Sequence, residues 1–277
     1  MPGEIGSKKL RVPEGVPRLL RDLIHDRTGL FFEDTRMDFL IDKLEPAAQN
    51  RGFGSFLDYY YVLKDNDSGE WARAWEALSV QETYLWREMS QIDTLVKKIV
   101  PDWFRNNTSP FRIWSAACAT GEEPYTIAIA LAEAGLEEHP IEITGSDASV
   151  EALEKAERAV YREKSFRTLP PELRQKYFEP VAGGWKLCME IRRRVVFKRA
   201  NLFEQGEIAP LARVQAIFCR NVFIYFSRHA IRQTVAMMAA KMPPGSFLFI
   251  GASESLLRIT TDFELREIAG ALAYVRI

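Results

Sequence analysis

Apolar residues change their spacing near residue 111, and that change restricts the possible folds more than any other feature of the chain. From there on, runs of strand length (111–117, 141–146, 195–202, 214–219 and 246–251) alternate with stretches of helical period (123–134, 149–160 and 228–242). Continuous apolar strands are covered on both faces, and the helices between them are the crossovers that parallel pairing requires. The spacing therefore predicts a doubly wound α/β sheet. Residues 263–267 and 271–277, separated by Ala269-Gly270, predict a hairpin that finishes it. One segment breaks the alternation. Residues 183–197 follow a Gly183-Gly184 turn signal with period-two spacing, which predicts a small antiparallel β insert.

The first part of the chain, residues 16–100, reads as helical throughout. Leu19, Leu20, Leu23 and Ile24 form one apolar stripe. Met37, Leu40, Ile41 and Leu44 form a second, with Pro46 and Gly52 bracketing its end. Ser55 is placed to cap a helix over 56–63. Residues 65–69 predict a loop, and a further helix carries Trp71, Trp75, Leu78 and Val80. Phe53, Phe56, Tyr59, Tyr60, Trp71 and Trp75 are expected to build a bundle core. The expected division is a helical N-terminal domain over 1–88 and an α/β domain over 89–277.

Composition excludes several classes. A net charge of −1 over 277 residues provides no general attraction to nucleic acid. The longest apolar windows, 126–132 and 246–252, are too short to span a bilayer. The first nine residues contain no apolar signal core. Cys118, Cys188 and Cys219 are odd in number and widely spaced, which suits neither a disulfide framework nor a zinc site. A cytoplasmic protein without a structural metal is expected, and nothing suggests more than a monomer.

Between the first predicted strand and its helix runs Phe111-Arg-Ile-Trp-Ser-Ala-Ala-Cys-Ala-Thr-Gly-Glu-Glu-Pro-Tyr125. Helix N-termini attract anions, so a phosphate-binding loop should be free of acids at this point. Glu122 and Glu123 argue against a phosphate. They suit a nucleoside ligand with positive charge, and S-adenosylmethionine carries a sulfonium and an ammonium. Ligands of doubly wound sheets sit beyond the carboxyl ends of the strands. Those ends carry Glu123 after the first strand and Asp147 after the second, where an acid can accept from both ribose hydroxyls. Asn201-Leu202 end the third, suited to an adenine edge and face, and Arg220-Asn-Val-Phe-Ile-Tyr-Phe226 ends the fourth. A nucleic-acid amino-methyltransferase would favour an Asn/Asp-Pro-Pro-aromatic motif at the last position.

Four segments resemble the CheR family of chemotaxis receptor methyltransferases: Glu82-Thr-Tyr-Leu-Trp-Arg-Glu88, Trp114 to Tyr125, Ala216 to Phe226, and Gly251-Ala-Ser-Glu254. The resemblance implies a Rossmann-like methyltransferase domain with a small β insert behind an all-helical domain. It implies methyl transfer from S-adenosyl-L-methionine to glutamate side chains in the cytoplasmic domain of methyl-accepting chemoreceptors, with S-adenosyl-L-homocysteine as product. It places cofactor contacts on Gln81, Thr83, Arg87, Glu123, Asp147, Asn201, Leu202, Arg220 and Asn221, and catalytic roles on Arg87 and Tyr225. Three features depart from the family pattern: Gln81 stands where Asn is usual, Leu85-Trp86 replaces an aromatic pair, and the second helix is rich in acids. Gln81 and the second helix keep open the alternative of a non-catalytic S-adenosylmethionine-binding adaptor of the same fold.

Overall fold

The computed structural model describes residues 9–65 and 68–277. The first nine residues, read above for a signal, fall outside this span apart from Lys9, as do two of the five residues expected to form the 65–69 loop. The chain divides into two compact units, Met1–Val80 and Gln81–Ile277. In the first, α1 (Val16–Thr28), α2 (Met37–Asn50), α3 (Phe56–Lys64) and α4 (Ser68–Leu78) surround a core that fully buries Leu20, Ile24, Leu40, Leu44, Phe56, Tyr59 and Leu63. Ser55 caps α3 by accepting from the Leu57 amide at 3.2 Å, which removes one of the donors a helix start leaves unpaired. Glu70 is wholly buried against Arg51 and Arg73. Burial opposes its ionisation, but the two guanidiniums hold its carboxyl below the usual range. Pro46 does not end α2; the helix continues to Asn50. Leu44 and Ala48 are fully buried on either side of it, and that packing offsets the hydrogen bond a proline forfeits.

The second unit begins with an irregular stretch, Gln81 to Glu88, and not with the continuous helix the spacing predicts. Then come α5 (Met89–Thr94), a π-helical turn (Leu95–Ile99) and α6 (Val100–Asn106). The α/β pattern follows: β1 (Phe111–Ala116), α7 (Glu122–Glu133), β2 (Ile141–Asp147), α8 (Val150–Arg158), β3 (Val160–Tyr161), α9 (Pro171–Tyr177), β4 (Phe178–Val181), β5 (Gly184–Leu187), α10 (Met189–Arg192) and β6 (Val195–Arg199). The chain ends with α11 (Gln205–Ile208), β7 (Ala216–Phe218), α12 (Arg228–Ala239), β8 (Phe247–Phe249), β9 (Phe263–Ile268) and β10 (Ala271–Arg276).

The main sheet runs β6-β2-β1-β7-β8-β10-β9. Its first five strands are parallel, and β10 pairs antiparallel with both β8 and β9. The predicted hairpin is present, with Ala271 opposite Ile268. From β1 the chain moves outward through β2 to β6, then returns to the other side of β1 for β7 and β8. That reversal opens a crevice between the carboxyl ends of β1 and β7, where open α/β sheets bind ligands. The small antiparallel sheet has the order β3-β5-β4. It therefore begins at Val160, and the later part of the expected 183–197 insert is the short helix α10 and strand β6 of the main sheet. Among the described residues no helix is long and apolar enough to cross a membrane.

Candidate functional site

The turn after β1 is shaped for close approach. Ala117, Ala119 and Gly121 all have positive φ, at 53°, 47° and 89°, so every second residue of the turn takes the left-handed region that side chains disfavour. At Gly121 a Cβ would stand 2.7 Å from the Ala156 Cβ on α8, so only glycine fits. The Asp147 carboxylate braces this turn. One oxygen accepts from the Ala119 amide and the other from the Ser149 amide, each at 2.9 Å. Ser149 then caps α8 through the Ala152 amide. Asp147 thus holds the loop in shape and lies at the end of β2, where ribose recognition is expected. Asp147→Ala should weaken S-adenosylmethionine binding about tenfold or more, since charged hydrogen bonds of this kind contribute about 1.5–3 kcal/mol each. The variant should also melt at a lower temperature. Unchanged calorimetric affinity would contradict that role.

The two adjacent acids of the sequence motif have different environments. Glu122 turns inward, 2% exposed, and accepts from Thr120 Oγ1 at 2.6 Å and Ser165 Oγ at 3.0 Å. Burial pushes its carboxyl above the ordinary range. Glu122 ties the loop to the segment before α9. Glu123 faces the crevice between β1 and β7. Its Oε1 accepts from Ser115 Oγ at 2.6 Å and its Oε2 from Arg220 Nε at 2.7 Å.

Arg220, just beyond β7, is the hub of the site. Its side chain is 2% exposed. Besides Glu123, it donates through Nη1 to the Glu88 carbonyl and through Nη2 to the Arg87 carbonyl, both at 2.9 Å. One guanidinium therefore staples the Gln81–Glu88 segment to α7 and β7. That segment is strained: Trp86 and Glu88 have φ of 67° and 49°. Non-glycine residues persist there only when the surroundings over-determine them, at about 1–3 kcal/mol each. Here the Leu85 amide donates to the Ser165 carbonyl at 2.9 Å and the Trp86 amide to Thr126 Oγ1 at 3.0 Å.

The remaining expected residues fall around this frame. The Gln81 amide lies between Ser149 Oγ at 3.4 Å and Lys155 Nζ at 3.2 Å. Thr83 and Gln81 border a cleft of about 470 Å³ that also touches Thr120, Lys155 and Tyr161. Arg87 donates to the Glu82 carbonyl at 3.3 Å and sits over the Tyr84 ring. Its Nε is buried without a hydrogen-bond partner among the described residues. Asn201, beyond β6, bends the chain by accepting from the Phe203 amide at 2.9 Å, and Leu202 beside it is buried. Asn221 takes a positive φ of 60°. Tyr225 closes a short 3-10 turn (Phe223–Tyr225) and is 38% exposed.

Residues outside the expected set shape the site as much as those within it. The Glu254 carboxylate accepts from the amides of Gly251 at 2.6 Å, Asn221 at 3.0 Å and Phe223 at 2.7 Å, so it moulds the whole turn between Asn221 and Tyr225. A Cβ on Gly251 would approach the Asn221 Nδ2 to 2.7 Å. The motif Gly251-Ala-Ser-Glu254 was the visible signal for this role. Ser115, which orients Glu123, had none.

The crevice fits S-adenosylmethionine on its own terms. The turn packed on α8 through Gly121 lies beside Asp147, and among the described residues the buried Arg87 Nε makes no hydrogen bond, its ion-pair partner Glu88 standing 3.5 Å away. Comparisons with known proteins agree. Residues 81–271 match the model of the CheR methyltransferase SAM binding domain, and residues 18–79 match that of the CheR methyltransferase all-alpha domain. The chain is 36% identical over 261 residues to chemotaxis protein methyltransferase 2 of Vibrio cholerae, covering 92% of this chain and 91% of the relative. It is 32% identical to the chemotaxis protein methyltransferase of Salmonella typhimurium, covering 94% and 90%. It is 31% identical to that of Escherichia coli, covering 94% and 91%. With both of its units matched in order, an α-helical one and then a cofactor-binding one, this chain belongs to the CheR methyltransferase family.

Proposed function

We infer that the protein transfers the methyl group of S-adenosylmethionine to glutamate carboxylates in the cytoplasmic domain of chemoreceptors, forming glutamyl methyl esters. The observation that carries this reading is the Glu123–Arg220 staple. It joins the cofactor loop, β7 and the Arg87 segment into one rigid frame at the switch point of the sheet. The cofactor supplies an electrophilic methyl with a neutral thioether as leaving group. In this reading Asp147 binds the ribose, Asn201 and Leu202 the adenine, and Gln81, Thr83, Asn221 and the Arg220–Glu123 pair the rest of the donor.

A glutamate acceptor is already ionised at neutral pH. No side chain is needed to take a proton from it, and among the described residues no histidine or reactive cysteine is built into the crevice. Cys118 and Cys219 are buried, and burial pushes both thiols up, out of the reactive range. Rate acceleration then comes from orientation and from stripping water off the attacking oxygen. Arg87 is the guanidinium suited to align that carboxylate. Tyr225 stands on the exposed rim where the acceptor enters.

The test uses donor carrying a labelled methyl group and membranes containing chemoreceptors. Label incorporated into the receptor band supports transferase action. Tight donor binding without incorporation would support the non-catalytic adaptor instead.

A further inference from the structure

The cleft of about 470 Å³ beside the cofactor loop is strongly cationic. It lies in the second unit, between the last turn of α8, strand β3, the stretch 162–165 and Gly183 at the turn from β4 to β5. Of the residues expected to contact the cofactor, only Gln81 and Thr83 border it. Its lining carries Lys155, Arg158, Arg162 and Lys164 against one acid, Glu122, in a chain whose net charge is −1. Glu122 is buried on the hydroxyls of Thr120 and Ser165, and that burial favours its neutral form.

Two of the four cations have a local reason. Lys155 and Arg158 stand in the last turn of α8, where positive charge complements the helix end. They also reach Glu151 at 2.8 Å and Glu154 at 3.8 Å. Arg162 and Lys164 have no such reason. Both are exposed, and among the described residues neither side chain makes an ion pair or a hydrogen bond. Yet the backbone that carries them is pinned. The Ser165 amide donates to the Arg162 carbonyl and the Leu85 amide to the Ser165 carbonyl, each at 2.9 Å, while Ser165 Oγ donates to Glu122 at 3.0 Å.

The lining also restricts which anion fits. Its aromatic residue, Tyr161, is 4% exposed and donates its hydroxyl to the Thr120 carbonyl at 2.8 Å, so no ring is open to stack on a nucleotide base. The helix α8 meets the cleft with its C-terminal turn, the end that disfavours a compact phosphate. Cations spaced from 155 to 164 instead suit carboxylates spaced along a polypeptide.

We propose that this cleft captures acidic side chains of the acceptor polypeptide that flank the glutamate to be methylated, an assignment that rests on the chemoreceptor methyltransferase reading above. Thr120 belongs both to the cleft wall and to the cofactor loop, so a chain seated there is delivered beside the donor. A cleft lined by one sign of charge concentrates a ligand of the other sign and speeds its encounter. Cations on a pinned stretch of chain bind with less ordering to be lost. Arg162 and Lys164 are therefore specificity-determining residues, acting on acceptor capture and not on the methyl transferred.

The test measures initial rates of methyl transfer over a range of concentrations of a chemoreceptor cytoplasmic fragment. It compares the wild type, the double variant Arg162→Gln/Lys164→Gln, and a control, Lys97→Gln/Arg105→Gln, which removes two exposed cations elsewhere in the same unit. Calorimetric donor affinity is measured for each and also reports that the variants fold. In the cleft variant the KM for the fragment should rise about fivefold or more, with kcat and donor affinity within twofold of wild type. Added salt should raise the wild-type KM more steeply than that of the cleft variant, and the control should match the wild type within twofold. A cleft-variant KM within twofold of wild type, an equal rise in the control, or a parallel loss of donor affinity would overturn the assignment. A folded, donor-binding wild type that methylates no fragment would refute the acceptor reading itself, and the assignment with it.

Discussion

Arg220→Ala is expected to lose about 3–5 kcal/mol of stability, because removing one partner leaves the other charge buried and uncompensated. Glu123, with a side chain 13% exposed, is that partner. The same change frees the Arg87 and Glu88 carbonyls, so the strained Trp86–Glu88 turn loses the contacts that hold it in the left-handed region. Methyl transfer should fall by on the order of 10²-fold or more even at temperatures where the variant remains folded, since displacement of a reacting group by about 1 Å costs that much. Arg220→Lys should rescue little. A lysine cannot address the carboxylate and two carbonyls at once in a planar fork. Thermal melts together with turnover assays check both parts. Near-wild-type melting and turnover in the alanine variant would show that the staple does not organise the site.

Arg87→Ala should behave differently. Its guanidinium is not a structural hub: it makes one 3.3 Å hydrogen bond to the Glu82 carbonyl, a long ion pair with the part-exposed Glu88 at 3.5 Å, and rests on Tyr84. Stability should change little, while turnover falls by about 10²–10³-fold, the usual consequence of removing a group that orients charge in the transition state. Tyr225→Phe, on the rim, should lose activity only in part. Labelled-methyl assays on a receptor fragment, paired with melting curves, separate these cases. An Arg87→Ala enzyme of near-normal turnover would remove Arg87 from the reaction.

The sequence disclosed the sheet well because buried parallel strands and their crossover helices leave long, repeated signals. It disclosed the small sheet poorly. Strands of two and four residues, such as Val160–Tyr161 and Phe178–Val181, are too short to show alternation, whereas the stronger pattern after Gly183 carried on into strand β6. Helical spacing also ran through residues 81–88, where tertiary hydrogen bonds from Leu85 and Trp86 override local preference. In the site, motif residues could be named but not phased. Glu122 and Glu123 are neighbours on a helix and so point about 100° apart, one to Ser165 and the other to Arg220. Arg220 stands 97 positions from its carboxylate partner, a separation over which local periodicity carries no information. The strand-end acids therefore announced a cationic ligand, and only the fold shows which of them is already paired.

The most direct measurement of the proposed chemistry is the base lability of the product. After incubation with methyl-labelled S-adenosylmethionine and the cytoplasmic fragment of a chemoreceptor, mild alkali should release the protein-bound label as methanol, because carboxylate methylation makes an ester. Label that survives alkali on the receptor, or a receptor that acquires none from a folded, donor-binding enzyme, would contradict glutamate methylation.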